Sequence, residues 1–241
     1  MINDQTGMRI FRSAWGAIAS FLLIWESAEG ADWPCYRGDA KRDGISQEKL
    51  EWPLQLLWLH KPDQAPAPAW PEPGREAHRI DFDYAFHPAV ATGLVFYGSS
   101  ADDTIRALDL ITGTPKWRFT TGGPVRFAPH VADGRCFFAS DDGYVYCVNA
   151  AKGALIWQFR AALDDRRLPG NARMISRWPC RSGILVLDGT VYVVAGMWPA
   201  EGVYVYALDA ATGKQIWYND TSGLVFSLFP HGGAYNMGGV V

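Results

Sequence analysis

The sequence predicts an all-β fold: a β-propeller of four-stranded antiparallel blades, incomplete as a ring, with about three full blades and a partial blade at each end. Three observations predict it. The 241 residues include 25 Gly, 15 Pro, 11 Trp, 10 Tyr and 12 Phe, a composition that favours short strands and frequent turns over helices. A motif ending in tryptophan recurs along the chain, and a glycine-containing hairpin precedes each copy.

Overall composition narrows the functional classes before any motif is considered. Apolar residues make up 49 % of the chain and charged residues 20 %, so the chain can bury a core and is not a disordered tail. The formal net charge is −3, with 22 basic against 25 acidic residues. This balance argues against the basic surface of a nucleic-acid-binding protein.

The repeated motif occupies Ala107–Trp117, Cys147–Trp157 and Ala207–Trp217, with spacings of 40 and 60 residues between tryptophans. In each copy a strand ends at Asp or Asn, a glycine then reverses the chain, and the tryptophan returns on the next strand as a large apolar plate. We expect these positions to be architectural rather than chemical. They are Asp109, Gly113, Trp117, Asn149, Gly153, Trp157, Asp209, Gly213 and Trp217.

A second hairpin precedes each motif and completes a four-stranded unit. It turns at Thr92-Gly93, Asp133-Gly134 and Asp188-Gly189. The predicted strands of the middle unit are Phe127–Ala132, Arg135–Ser140, Tyr144–Asn149 and Ala154–Phe159. The predicted blades cover residues 84–119, 125–160 and 182–219, and another blade starts at 224–241.

Residues 1–30 resemble a secretory signal. Arg9 and Arg12 flank an uncharged, mostly apolar run, Ala14–Trp25, which is too short to span a bilayer. We place cleavage after Gly30; the alternative is a buried N-terminal helix. Cys35 lacks the small residues that precede a lipid-modified cysteine, so we expect no lipid anchor there. The mature protein is therefore expected to be periplasmic or secreted.

Four cysteines would then face an oxidising compartment: Cys35, Cys136, Cys147 and Cys180. None shows the two-residue separation of a zinc or redox motif. Cys136 and Cys147 lie almost symmetrically about the turn at Asp141–Gly143. A disulfide between them and two buried free thiols are both compatible with this spacing.

The motif resembles the quinoprotein-type propeller repeat, which pyrroloquinoline-quinone (PQQ) dehydrogenases share with the outer-membrane assembly protein BamB. The pattern Ala-x-Asp-x-x-Thr-Gly-x-x-x-Trp is complete at 107–117 and 207–217, whereas the middle copy has Cys147, Asn149 and Lys152 in place of Ala, Asp and Thr. The segment Asp32–Gly38 also resembles the start of exported propellers of this type. The resemblance covers roughly residues 32–232 and implies a fold far more sharply than a function.

Blade counting predicts that the chain does not close into a ring. Residues 31–83 form an N-terminal segment with an outer strand near Trp58, whose inner strands are absent, and a Pro-rich excursion at 61–79. A closed propeller needs at least four blades, and the resembling family usually has eight. We therefore expect a truncated product or fragment; the alternative is completion of the ring by another chain.

Two enlarged loops on one face predict a binding surface. They are the connection between the second and third blades and the loop Gly196–Gly202. The insert Arg160–Cys180 carries five arginines and a tryptophan, groups that suit anionic or sugar-like ligands. Arg173, Arg177 and Trp178 are the candidates. The alternative is a solvated loop with local ion pairs to Asp164 and Asp165.

Paired acidic residues lie on the same predicted face: Asp102 with Asp103, and Asp141 with Asp142. Such pairs can bind calcium or act as acid and base, and they also commonly build turns. The five histidines show no ligand spacing, so no metal site is predicted.

We expect a noncatalytic exported propeller, without a cofactor, acting as a scaffold or binding module through its loop face. Its partner would be a protein, or the remaining blades, with a carbohydrate or anionic ligand as a further option. One alternative is a quinone-dependent dehydrogenase, for which the resemblance implies PQQ with calcium and a pair of adjacent cysteines that this sequence lacks. Another is a sugar-binding or polysaccharide-processing propeller. No membrane span is predicted.

Overall fold

The computed structural model describes residues 31–69, 83–198 and 201–221. The predicted signal sequence and the predicted start of a further blade at 224–241 lie outside these residues, as do residues 70–82 of the Pro-rich region. Every regular element in the described part is a β-strand. No helix in that part is long and apolar enough to cross a membrane.

Three four-stranded antiparallel sheets form the blades, each a meander in which consecutive strands are neighbours. Blade 1 contains β1 (Ala89–Ala91), β2 (Leu94–Ser99), β3 (Thr104–Asp109) and β4 (Pro115–Thr120). Blade 2 contains β5 (His130–Ala132), β6 (Arg135–Ala139), β7 (Tyr144–Asn149) and β8 (Leu155–Arg160). Blade 3 contains β11 (Leu185–Leu187), β12 (Thr190–Ala195), β13 (Tyr204–Asp209) and β14 (Gln215–Asn219). The predicted all-β fold of four-stranded blades is confirmed.

The core lies between the blades. Val145 and Cys147 of β7 belong to the cluster shared with blade 3, whereas Tyr146 and Val148 belong to the cluster shared with blade 1. Successive side chains of a strand point to opposite faces of the sheet, so the middle blade is buried on both faces. Because both faces of the middle blade are buried, β7 is apolar at nearly every position.

The same alternation decides between the two cysteine alternatives. Cys136 pairs with Val148, and Cys147 pairs with Phe137, one position further along the ladder. Cys136 therefore faces blade 1 and Cys147 faces blade 3, on opposite sides of one sheet. Both thiols are buried and free, and burial raises the pKa of Cys147 to about 12.

Two of the motif tryptophans, Trp117 and Trp157, each join their own blade to the next one. The Trp117 indole Nε1 donates to the Ala150 carbonyl at 2.8 Å, and Trp157 donates in the same way to Ala210 at 3.0 Å. The glycine of the neighbouring motif lies against the indole ring: a Cβ at Gly153 would be 2.6 Å from Trp117. Only glycine leaves room for this contact, so the motif encodes the packing between blades.

Trp58 makes the contact expected of an outer strand, although residues 54–60 form no regular strand. Its Nε1 donates to the Leu110 carbonyl at 2.8 Å. A Cβ at Gly113 would lie 2.6 Å from its ring. Trp58 therefore docks on blade 1 as Trp117 docks on blade 2.

The N-terminal segment crosses the first strands of all three blades. Trp33 exchanges two backbone hydrogen bonds with Val90 in β1, and the Val131 amide of β5 donates to the Pro34 carbonyl. Arg42 donates to the carbonyl of Ile184, just before β11, at 3.1 Å. This segment thus ties the three inner edges together.

The insert between blades 2 and 3 contains a hairpin that the sequence did not predict. Its strands are β9 (Arg167–Gly170) and β10 (Arg173–Ser176), paired antiparallel. Pro169 and Gly170 obscured the strand pattern, because both residue types are depleted in strands.

Candidate functional site

The loops that connect second to third strands and blade to blade meet at one end of the blades, here called the loop face. It comprises loops 100–103 and 140–143, the described part of 196–203, and connections 121–129 and 161–184. The Asp141 amide donates to the Pro124 carbonyl at 2.9 Å, and Ser176 donates to the Asp141 carbonyl at 2.8 Å. The predicted acidic pairs and the predicted insert are therefore neighbours.

A buried ion cluster forms the centre of the loop face. The Asp141 carboxylate accepts from Arg126 Nε at 2.7 Å and from Arg181 Nε and Nη2, each at 2.9 Å. Arg126 also pairs with Asp83 and donates to the Ala67 carbonyl. All four charged side chains are at least nine-tenths buried, and the two arginines balance the two carboxylates.

The electrostatics of Asp141 follow from its two partners. Burial alone would raise the pKa of this carboxyl, but Arg181 and Arg126 outweigh it and hold the pKa below its ordinary value. Asp141 is therefore an ionised group whose oxygens already accept hydrogen bonds from two guanidinium groups. A charge so enclosed is suited to holding its own loop and the two connections together.

Asp142 is occupied by a different set of donors. It accepts from the Gly122 amide at 2.8 Å, the Tyr144 amide at 2.9 Å and the Tyr146 hydroxyl at 2.6 Å. Burial raises the pKa of Asp142, and these hydrogen bonds oppose the rise. The side chain thus closes the turn between β6 and β7, as Asp residues commonly do.

The acidic pair of blade 1 is also engaged within the chain. Asp102 pairs with Arg106 and accepts from the Thr104 hydroxyl at 2.8 Å. Asp103 pairs with Arg173 of the hairpin at 2.8 Å. The acidic residues of these two equivalent loops therefore have unlike partners.

The hairpin β9–β10 spans the loop face from blade 3 to blade 1. Arg173 donates to the carbonyls of Ser100 and Ala101 and forms an ion pair with Asp103. Arg177 pairs with Glu201, in the other enlarged loop. The structure brings the two predicted enlargements into contact and extends one of them across blade 2.

Trp178 lies inside this contact rather than on the surface. It is 2 % exposed, its Nε1 donates to the Glu201 carbonyl at 2.6 Å, and the guanidinium groups of Arg166 and Arg177 lie 5.1 and 5.3 Å from its ring centre. The ring thus stacks with two cations of its own chain.

Sequence reasoning missed Arg126, Arg181 and Asp83. A signal was present for the arginines: each lies four residues before the first strand of a blade, His130 of β5 and Leu185 of β11. Asp83 lies six residues before Ala89 of β1 and does not follow this pattern. Burial raises the pKa of Asp83 to about 6, and Arg126 acts against that rise.

The described residues contain no group of three or more His, Cys, Asp and Glu side chains that could hold a metal ion. Two of the described histidines make structural contacts. His130 Nδ1 accepts from the Val186 amide at 3.1 Å, which joins blade 2 to blade 3, and His87 stacks on Phe127.

Comparison with known proteins places this fold in a family. A family model described as outer membrane protein assembly factor BamB matches residues 56–178 and 141–233. The chain belongs to this family. The resemblance drawn from the tryptophan motif is thereby confirmed.

Similar proteins include several with enzyme names. Quinohemoprotein alcohol dehydrogenase from Comamonas testosteroni is 28 % identical over 188 residues, covering 70 % of this chain and 25 % of that protein. Tetrathionate hydrolase from Acidithiobacillus ferrooxidans is 34 % identical over 116 residues, covering 39 % of this chain and 20 % of that protein. The chain thus spans about a quarter or less of the length of these relatives.

One solved structure shows the same fold, and a second aligns with a lower score. The Comamonas testosteroni quinohemoprotein alcohol dehydrogenase aligns with a TM-score of 0.55 and 19 % identity, over 78 % of this chain and 27 % of that chain. BamB from Moraxella catarrhalis aligns with a TM-score of 0.44 and 18 % identity, over 56 % of this chain and 36 % of that chain.

Proposed function

We propose that the chain is part of an exported, noncatalytic propeller that binds a protein partner through its loop face. Membership of the BamB family supports a role in protein binding outside the cytoplasm. The observation that supports the proposal most directly is that the loop-face carboxylates are already engaged by groups within the chain. Asp102, Asp103, Asp141 and Asp142 all have partners within the chain, so they hold loops in place.

The hairpin gives the loop face a surface suited to a partner. Met174 of the hairpin is 53 % exposed, Leu163 of the same connection is 48 % exposed, and Arg167 of β9 is also exposed. Apolar side chains with arginine are typical of protein-binding surfaces. Arg173 and Arg177 support this surface from within through their ion pairs.

The alternative of a quinone-dependent dehydrogenase is favoured by the likeness to quinohemoprotein alcohol dehydrogenase. The residues present do not fit PQQ with calcium. The acidic groups of the loop face are held by arginines and turn amides, and the four cysteines are non-adjacent and buried. Trp178 is likewise buried, so its ring offers no stacking platform for the sugar-binding alternative.

The binding proposal is tested by site-specific photo-cross-linking in the full chain, expressed in a Gram-negative host. A cross-linking residue replaces Met174 on the hairpin or, as a control, the exposed Lys152 in the β7–β8 turn at the opposite end of the blades. We expect a discrete protein adduct in the periplasmic fraction from position 174 only. The identified partner, once purified, should bind the unmodified protein, and Met174→Glu should weaken that binding.

Equal adducts from both positions, or none from either, would contradict a loop-face partner.

The dehydrogenase alternative is tested by adding PQQ and calcium to the purified protein and following cofactor absorbance and dye-linked alcohol oxidation. We expect neither a bound quinone nor turnover. Stoichiometric binding of quinone together with turnover would contradict the noncatalytic proposal and support the dehydrogenase alternative.

A further inference from the structure

A buried arginine of the N-terminal segment lacks a counter-ion. Arg42 is 6 % exposed, although the residues before and after it in the chain are exposed. Its Nη2 donates to the Ile184 carbonyl at 3.1 Å, just before β11. The Nε and Nη1 atoms are buried as well, and neither has a hydrogen-bond partner in the part of the chain that the structure describes. Within that part, two of the three guanidinium nitrogens are therefore unsatisfied donors.

The acidic residues nearest to Arg42 in the chain are used by the backbone. Asp39 accepts from the amides of Lys41 and Arg42 at 2.9 and 3.0 Å. Asp43 accepts from the amide of Ile45 at 3.0 Å. These bonds hold a turn in which Arg42 has φ of 56°, and they leave the guanidinium without an ion pair to either carboxylate.

Two titratable neighbours of Arg42 are neutral at neutral pH. Burial raises the pKa of the Cys35 thiol to about 11, with the charge of Arg42 opposing that rise. Burial lowers the pKa of His130 to about 4, and the charge of Arg42 adds to that shift. Arg42 itself stays charged, because a guanidinium keeps its proton even where burial lowers its pKa. The positive charge is thus not compensated by these neighbours.

A buried cation needs a compensating charge. Removing a charged group from water carries a large free-energy cost unless a counter-charge and hydrogen bonds offset it. The buried arginines of the loop face, Arg126 and Arg181, both meet the Asp141 carboxylate. Arg42 meets no carboxylate among the described residues, and its unpaired nitrogens are covered rather than lying on an open blade edge. An anion is the partner that completes its charge and its hydrogen bonds.

We propose that Arg42 is the centre of a buried binding site for a small monovalent anion, represented by chloride. One negative charge neutralises the guanidinium, and Nε and Nη1 supply the donors. A bulky or doubly charged ion is disfavoured, because it would lose more hydration on entering a buried site. The bound anion stabilises the docking of the N-terminal segment on the first strands of blades 2 and 3. This site does not depend on the loop-face partner, so the two proposals are tested separately.

The experiment follows urea unfolding of the full chain at constant ionic strength, with chloride replaced stepwise by the bulky anion gluconate. An anion that binds only the folded form should raise the folding equilibrium constant about tenfold for each tenfold increase in chloride above the dissociation constant. Amide hydrogen exchange of residues 33–44 should slow over the same range of concentration. Gluconate should not substitute for chloride.

Arg42→Met removes the cation and its donors and keeps an unbranched apolar side chain, so the chloride dependence should disappear. Arg37→Gln is the matched control, because Arg37 lies in the same segment, has φ of 62° and is exposed. This control should keep the full chloride dependence. Crystals of the unmodified protein grown in bromide should show anomalous scattering beside the Arg42 guanidinium, a measurement that requires no variant to fold.

Two results would overturn the proposal. The first is a chloride dependence that is absent from the unmodified protein or equally large in Arg42→Met. The second is a bromide-grown crystal with no bromide at Arg42, or with equal bromide at the exposed Arg37.

Discussion

The contact between a tryptophan and a glycine is the smallest unit that explains this fold. Trp58, Trp117 and Trp157 each donate to a carbonyl of the following blade, and each ring covers the glycine of the next motif. The aspartate or asparagine of that motif shapes the turn: Asp109 and Asp209 accept from the amide three residues on. The aspartate, the glycine and the tryptophan therefore each have a distinct structural task.

Alanine substitutions at two glycines of blade 2 would distinguish the effect of ring contact on stability from the effect of backbone strain. Gly153 has φ of 68°, with Trp117 against it, whereas Gly134 has φ of 69° and open space where a Cβ would lie. Gly134→Ala should lower the free energy of unfolding by about 1 kcal/mol, because of backbone strain alone. Gly153→Ala should cost about 2 kcal/mol more, because the methyl group displaces the indole. Urea denaturation measures both; equal losses would contradict the docking role.

His130 makes the stability of the protein depend on pH. Burial lowers its pKa to about 4 from 6.5, with Ile184 partly opposing the shift and the charge of Arg42 adding to it. Below pH 6.5 the unfolded chain takes up a proton that the folded chain accepts only near pH 4, so stability falls across this interval. The loss attributable to His130 is about 3 kcal/mol.

His130→Asn should flatten that pH dependence. The Asn side-chain oxygen can still accept from the Val186 amide, and it does not titrate in this range. Thermal and urea unfolding between about pH 4 and 7 compare the variant with the unmodified protein. Parallel stability curves for the two proteins would show that His130 is not a buried neutral acceptor.

The hairpin β9–β10, together with Arg177 that follows it, contacts all three blades. It contacts blade 1 through Arg173, blade 2 through Ser176 and the enlarged loop of blade 3 through Arg177. A short element with contacts to three blades limits how far they can move against one another. The hairpin thereby shapes the surface proposed to bind a partner.

Arg173→Ala should free one end of this hairpin. The variant loses hydrogen bonds to two carbonyls and the ion pair to Asp103, together worth about 2 kcal/mol of local stability. Arg167→Ala in the paired strand is the control, because Arg167 makes only a 3.4 Å contact to the Gly122 carbonyl. Hydrogen exchange of β9 and β10 should accelerate in Arg173→Ala alone; similar exchange in both variants would refute the bridging role.

The features that could be predicted from the sequence are those determined by residues close together in the chain. The blades follow from turns and alternation within a few residues, as in β7, and the tryptophan motif follows from one strand-turn-strand unit. The shared location of the acidic pairs and the insert follows from strand order alone. These features are determined within one repeat, so a single sequence suffices.

The hairpin and the partners of the predicted site residues depend on distant parts of the chain. Arg173 meets residues about seventy positions away, and Asp141 meets Arg181 forty positions away. The strand pattern of β9 is hidden by Pro169 and Gly170. Nothing local distinguishes a carboxylate held by two arginines from one open to a ligand, since burial decides between them.

The described residues form three blades in a row, and the two outer blades have unlike outward faces. Trp157, between blades 2 and 3, is 8 % exposed, whereas Trp217 on the far side of blade 3 is 45 % exposed. Ile216 and Tyr218 beside it are 57 % and 50 % exposed. At the other end, the ring of Trp58 lies against Gly113 of blade 1. Each end thus offers a different surface, while the loop face runs across all three blades.

The central claim is that the loop-face carboxylates hold the fold together instead of performing chemistry. Asp141→Asn tests it most directly, with the exposed Asp164→Asn as control, by urea unfolding alongside PQQ and calcium titration of the unmodified protein. We predict that Asp141→Asn lowers the free energy of unfolding by about 3 kcal/mol, because it leaves buried arginines unpaired. Asp164→Asn should change the free energy of unfolding little. The unmodified protein should bind no quinone. An Asp141→Asn protein of full stability, alongside an unmodified protein that binds calcium and quinone, would contradict the account.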